Sequence, residues 1–189
     1  MSREERVLVW DPLVRVFHWL LVAAFFAAYL IEPEESELHF LAGYAVLALI
    51  LVRIVWGFVG SAHARFSDFT YSPGAILAYL GNAIRMRAQR YLGHSPGGGA
   101  MVIVLLLMLL ATTASGLMVY GADQHAGPLA QWMSAVSEEG EHLLEEVHEL
   151  LANVTLGLVI LHILGVLLAS YSHHENLVKA MFTGYKRRQ

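Results

Sequence analysis

Apolar residues collect in four long blocks, about 13–31, 38–59, 100–120 and 146–171. An α-helix needs about 20 residues to cross a hydrocarbon core, and each block is close to that length. Polar segments separate them. Glu-Pro-Glu-Glu-Ser-Glu at 32–37 predicts an acidic hairpin loop. The long connection 60–97 contains Ser72-Pro73, a helix cap followed by proline at the first helical position. Ile76, Leu77, Leu80, Ile84 and Tyr91 then follow helical spacing, with Arg85, Arg87 and Arg90 interleaved. This predicts an amphipathic helix over about 73–91, lying on the membrane surface. Pro96-Gly97-Gly98-Gly99 predicts a break before the third span. Residues 121–145 form a second connection, with a short amphipathic piece at Pro128–Val136 and Trp132 as an interface anchor. The pattern predicts an all-α fold, an integral membrane four-helix bundle forming one domain over 1–189.

Composition agrees. Only 15% of residues are charged, against about 25% in a soluble domain. The first apolar run has no small-residue cleavage motif after it, so no cleavable signal is expected. Cysteine is absent, which excludes disulfides, iron–sulfur clusters and thiolate catalysis. All 12 basic residues fall in the N-terminal arm, the adjoining ends of spans one and two, the 60–97 connection and the C-terminal tail. The other two loops are acidic, carrying Glu32, Glu34, Glu35, Glu37, Asp123, Glu138, Glu139, Glu141 and Glu145. The positive-inside rule then places both termini in the cytoplasm.

Candidate chemistry comes from the ten histidines. Ionisable side chains inside apolar helices point to function. His148 and His162 sit fourteen residues apart in the last span, which on a helix is about 21 Å of rise and a return to within about 40° of the same face. Counting along alternating spans puts His18 at the inner depth of His162 and His39 at the outer depth of His148. Two imidazole pairs facing across a bundle suit two bis-histidine haems. A flat porphyrin needs small neighbours beside each ligand. Gly43 follows His39 by four residues, Ala152 follows His148 by four and Gly165 follows His162 by three, whereas Val22 follows His18. Arg15, three residues before His18, and Arg53, on the His39 face but at the inner depth, are expected partners for the inner propionates. No arginine serves the outer pair, so hydroxyls, backbone donors or water are expected there. His142 and Glu146 are one turn apart, but a solvated helix start is the simpler reading. His63, His94, His125, His173 and His174 read as ordinary polar residues, His173 being the nearest spare.

Several segments carry a resemblance. VWDPLVRVFHWLL, LHFLAGY, RIVWGFVGSAHARFSDF, YSPGAILAYL, GHSPGGGAMVIVLLLMLLATTASGLMVYG and VHELLANVTLGLVILHILGVLLASYSHHENLVKAMFTG together resemble the bacterial di-haem cytochrome b561 family. Its relatives include the b-type cytochrome subunits of nickel–iron hydrogenases and formate dehydrogenases. The resemblance implies a four-helix protein of the bacterial inner membrane with two haem b groups. It implies axial ligands at His18, His39, His148 and His162, and exchange of electrons with the quinone pool. By resemblance alone, His63, Arg65 and Asp68 are candidates for the quinone site.

The expected function is electron transfer between an outer-face redox partner and membrane quinone. The acidic outer face suits a basic soluble protein such as a c-type cytochrome. The rival expectations are a stand-alone quinone-linked enzyme acting on a small substrate such as superoxide, and an anchor subunit of a hydrogenase or dehydrogenase. A haem-free metal transporter is the rival from another class. Membrane lipid surrounds the protein in each case, and no nucleic-acid partner is expected.

Overall fold

The computed structural model describes residues 6–31 and 37–188. Residues 32–36, most of the expected acidic hairpin loop, and residues 1–5 lie outside the described residues. The chain runs through strand β1 (Arg6–Leu8), helices α1 (Pro12–Leu30) and α2 (Glu37–Val59) and a 3₁₀ turn at Ala62–Ala64. Short α3 (Phe66–Phe69), α4 (Pro73–Ile84), α5 (Pro96–Asp123) and short α6 (Ala130–Met133) follow. The chain ends with α7 (Glu138–Ser172), α8 (Leu177–Thr183) and β2 (Tyr185–Arg187). α1, α2, α5 and α7 are long and apolar enough to cross a membrane. Large apolar side chains such as Val55, Leu107, Leu161 and Leu164 stand exposed on them, as lipid-facing residues do. The fold is all-α apart from β1 and β2, which pair antiparallel with Val7 opposite Lys186.

The starts of α1, α4 and α8 have local causes. The Asp11 carboxylate accepts from the Val14 N–H at 2.9 Å, with Pro12 next to it in the first turn. The second Asp11 oxygen accepts from Trp56 Nε1 at 3.1 Å and from the Ser61 hydroxyl. Burial would raise the Asp11 pKa, but the bonds from Ser61, Val14 and Trp56 outweigh it and hold the carboxyl below its usual value. At α4 the Ser72 hydroxyl accepts from Ala75 N–H and Pro73 opens the helix, as the sequence predicts. α8 is capped by Asn176, and Gly184 ends it at φ 86°. A side chain at Gly184 would also strike the Trp10 carbonyl.

Three boundaries differ from expectation. α4 stops at Ile84 rather than near 91, because Met86 turns left-handed at φ 57° and the following residues bond to the C-terminal segment. Arg90 donates to the Glu175 carboxylate, and the Lys186 ammonium donates to the carbonyls of Tyr91 and Leu92, 2.9 Å each. Tertiary bonds have overridden helical spacing here. The Pro96–Gly99 run is the first turn of α5, not a break. The Ser95 hydroxyl accepts from the Gly98 N–H, and a Cβ at Gly99 would collide with the Phe69 carbonyl. These glycines permit close approach to α3 and α4. α7 begins at Glu138, eight residues before the apolar block. Ser137 caps it, and three acidic residues in its first turn favour the positive end of the helix dipole.

The contacts divide the chain into two compact units, and each long helix contributes a segment to both. The first unit comprises Met1–Leu20, Leu51–Val104 and Ile160–Gln189. It holds the strand pair, and it holds Glu175 and Lys186, both nearly inaccessible, with Arg90 bonded to Glu175 at 2.9 Å. Phe69 and Ala64 are its most buried apolar side chains. The second unit comprises Leu21–Ile50 and Leu105–Val159. There α1 meets α7 through the Tyr29 hydroxyl on Asn153 at 2.7 Å, and α5 meets α7 through Thr112 and Thr155 hydroxyls at 3.1 Å. α2 meets α5 through the Phe40 and Tyr120 rings. Ile50, Val46 and Thr155 form its buried centre.

Candidate functional site

Both histidine pairs expected from depth counting are adjacent in the structure. In the second unit the His39 and His148 ring centroids are 6.3 Å apart with planes at 82°. In the first unit the His18 and His162 centroids are 6.5 Å apart with planes at 53°. First-row metal–imidazole bonds of about 2 Å, plus roughly 1.2 Å from each nitrogen to its ring centroid, would put two rings that face each other across one metal about 6.4 Å apart. The ring spacing of each pair would therefore suit one metal ion bound by both imidazoles.

The second pair is also fixed in tautomer. His39 Nδ1 lies 2.9 Å from the Ala28 carbonyl and 3.2 Å from that of Ile31. Carbonyls only accept, so Nδ1 carries the proton and Nε2 keeps its lone pair for a metal. α1 ends at Leu30, and the carbonyls of a final turn lack helical partners. His39 uses them. His148 Nδ1 lies 3.1 Å from the Thr112 carbonyl, which fixes the same tautomer, and 3.0 Å from the Ser115 hydroxyl. Gly116 completes this seat: a Cβ there would stand 2.9 Å from His148 Cε1. The sequence marks Thr112–Gly116 only as a close-packing patch. Its role in seating a histidine was missed, because the partner is 32 residues further on.

The surroundings of the first pair differ. Among the described residues, five buried side-chain nitrogens have no hydrogen-bond partner: Arg15 Nε, His18 Nδ1, Trp19 Nε1, Arg53 Nη1 and His94 Nδ1. All five belong to the first unit. Arg15 gives one bond to the Phe182 carbonyl, 2.6 Å, and Trp19 stacks on the Phe182 ring at 4.2 Å. Arg53 is 3% exposed and bonds only the Ala64 carbonyl, 3.0 Å, with its guanidinium over the Phe66 and Phe69 rings. Unpartnered buried donors around a histidine pair suit an anionic, largely apolar ligand. A Cβ built at Gly43 or Gly165 would meet nothing within 4 Å, so volume is open beside His39 and His162. On these observations the residues present fit a porphyrin carrying carboxylates.

The remaining candidates are ordinary or peripheral. His142 makes an exposed contact of 3.5 Å with Glu145. No group of three or more histidine, aspartate or glutamate side chains placed for a metal occurs among the described residues. His63 bonds Asp68 at 2.9 Å, half exposed. His94, expected to be an ordinary loop residue, has its ring packed 4.4 Å from Phe69 and 4.6 Å from Trp10. A loop position just before a proline gives no signal of that burial.

Long apolar helices that seat paired histidines with metal-binding nitrogens free define a class, the membrane proteins that hold a planar metal cofactor between helices. The family model for prokaryotic cytochrome b561 matches residues 9–184, and the chain belongs to that family. Membership implies haem b, a bacterial membrane location and electron transfer across that membrane. No curated protein and no solved structure matches the chain.

Proposed function

We propose that the protein carries electrons through two b haems, one held by His39 and His148, the other by His18 and His162. The observation that supports this most directly is the ring spacing of the two pairs, 6.3 and 6.5 Å. When bound, each haem supplies a one-electron couple at its iron. The chain supplies the rest. The imidazoles of His18, His39, His148 and His162 would hold the metal, through Nε2 in His39 and His148. The Ala28, Ile31 and Thr112 carbonyls and the Ser115 hydroxyl hold the ligand rings of the second unit in orientation. Arg15 and Arg53 receive the propionates in the first unit, and Gly43 leaves room for the ring edge. The apolar helix faces exclude water, which keeps each iron a carrier rather than a centre that reacts with solvent.

In this reading α1, α2, α5 and α7 are the four spans of one domain, with both termini cytoplasmic. The exposed Asp123, Glu138, Glu139 and Glu145 then face the periplasm. They favour a basic redox protein such as a c-type cytochrome and repel an anion such as superoxide. On the other side a quinone exchanges electrons, with His63, Arg65 and Asp68 as its candidate contacts. The test is haem stoichiometry with reduced-minus-oxidised spectra. Two haems per chain are expected, and one each after His148→Ala and His162→Ala. A haem-free chain, or two haems surviving either substitution, would sink the reading.

A further inference from the structure

The first unit contains a feature the ligand pairs do not explain. Arg53 is a buried cation without a carboxylate: among the described residues its only hydrogen bond goes to the Ala64 carbonyl, and Nη1 bonds nothing. Asp11, the carboxylate whose charge acts on it, already accepts hydrogen bonds from Val14, Trp56 and Ser61. A buried charge normally has a hydrogen-bonded counter-ion.

His94 has the same deficit. Its Nδ1 is sealed from solvent and bonds nothing, though part of the residue retains accessible surface. The ring packs against both Phe69 and Trp10, with centroids 4.4 and 4.6 Å away. Its carbonyl accepts from the Tyr71 hydroxyl at 3.1 Å. On one side Gly93 packs against His63 so closely that a Cβ would stand 2.8 Å from His63 Nδ1. On the other, Ser95 caps α5. Burial first, then the charge of Arg53 and that of Lys186, push the His94 pKa down to about 3, with His63 and His162 adding to the effect. The ring is therefore neutral and carries one N–H. Phe69 links the two deficits, since the His94 ring packs on it and the Arg53 guanidinium carbon lies 5.8 Å from its centroid.

We propose that Arg53 and His94 form a carboxylate-binding pair walled by Phe69, which takes one propionate of the haem held by His18 and His162. This rests on the haem reading above. A guanidinium supplies charge and a planar donor fork, and a neutral imidazole N–H supplies a second, directional bond. The wall of Phe69, Phe66 and Trp10 keeps water from competing. A free carboxylate lacks the porphyrin body, so the pair selects a carboxylate attached to an apolar plate.

The test uses the full chain carrying His148→Ala, which leaves one ligand pair, prepared without haem and titrated with haem b or with its dimethyl ester. The parent should prefer haem b to the ester by at least about ten-fold. Arg53→Gln and His94→Phe should each remove most of that preference while keeping a bis-histidine spectrum. His94→Gln, which keeps an N–H donor, should restore part of it. Unchanged preference in either Arg53→Gln or His94→Phe, or in Arg53→Gln alone should the phenylalanine variant not fold, overturns the carboxylate pair alone. A parent that binds neither compound with a bis-histidine spectrum overturns the haem reading, and this proposal with it.

Discussion

The two histidine pairs have nearly the same ring spacing and very different surroundings. In the second unit the Nδ1 atoms of both His39 and His148 face carbonyl oxygens. Among the described residues, no buried side-chain nitrogen of that unit lacks a partner. In the first unit His18 Nδ1 bonds nothing, and the same unit holds the buried Arg53 guanidinium with an unbonded Nη1. Ligand type sets what can bind, and the neighbours set how tightly electrons are held. An imidazole whose N–H is taken by a carbonyl is a stronger base and favours oxidised iron. A neighbouring cation favours reduced iron. If each pair holds a haem as proposed, both differences act in the same direction, toward a higher potential for the site of His18 and His162.

The largest effect that separates the units should come from Gly116. Its hydrogen is all that fits beside the His148 ring, 2.9 Å from where a Cβ would sit. Gly116→Val forces the ring off the Thr112 carbonyl and away from His39. We expect complete loss of one haem, with the other retained at wild-type spectral shape. Haem content by absorption decides this, and two haems in Gly116→Val would show that the seat is softer than its contacts indicate.

Acid should discriminate next, in the haem-free chain. Burial and the nearby positive charges of Arg53 and Lys186 lower the His94 pKa from 6.5 to about 3. The unfolded chain takes up a proton near 6.5 and the folded chain refuses it, so stability is constant above about 6.5 and falls as pH drops toward 3. Glu175 adds to this only lower down. Burial opposes its ionisation, but the Arg90 hydrogen bond and the Lys186 charge prevail and depress its pKa from 4.5. Its stabilisation is present above 4.5 and is lost as pH falls through the depressed value. The total is a few kcal/mol at most. Hydrogen exchange at pH 7 and pH 5 should show Tyr185–Arg187 loosening before Thr112–Gly116, and His94→Phe should flatten the dependence. Uniform loosening of both segments would contradict it.

How much of this was legible in the sequence follows from which interactions are local. The two histidine pairs could be found by counting, because helical rise converts position into depth and the structure brings the same two pairs together. Ser72-Pro73 announced α4 for the same reason, a cap being contained within four residues. The end of α4 was not legible, since it depends on Glu175 and Lys186, more than 80 residues away in sequence. The glycine run at 97–99 reads as a breaker until Phe69 is seen against Gly99. His94 carries no periodic signal at all, and its importance comes from Phe69, Trp10 and Arg53, which the sequence scatters.

The potential order gives the next test. On the two-haem reading, stepwise reduction should fill the site of His18 and His162 first, by at least about 60 mV, a tenfold ratio for one electron. The component that reduces first should be absent in His162→Ala and present in His148→Ala. The reverse assignment would mean that the neighbours described above do not set the order.

The smallest effect concerns Ser115, and its smallness is informative. The Ser115 hydroxyl lies 3.0 Å from His148 Nδ1, but the Thr112 carbonyl lies 3.1 Å from the same atom. The Ser115 hydroxyl also bonds the Thr112 carbonyl itself, at 2.8 Å. The imidazole N–H has one proton to give, and the carbonyl is the partner that can only accept. Ser115→Ala therefore leaves His148 with its tautomer, its orientation and a bond. We expect both haems to remain and the stability to fall by less than about 1 kcal/mol, the net contribution of one neutral hydrogen bond. The potential of the site should rise only slightly, as the Thr112 carbonyl now carries the interaction alone. Loss of the haem in Ser115→Ala would move the control of His148 from backbone to side chain, and the contrast between the two units would then rest on a single hydroxyl.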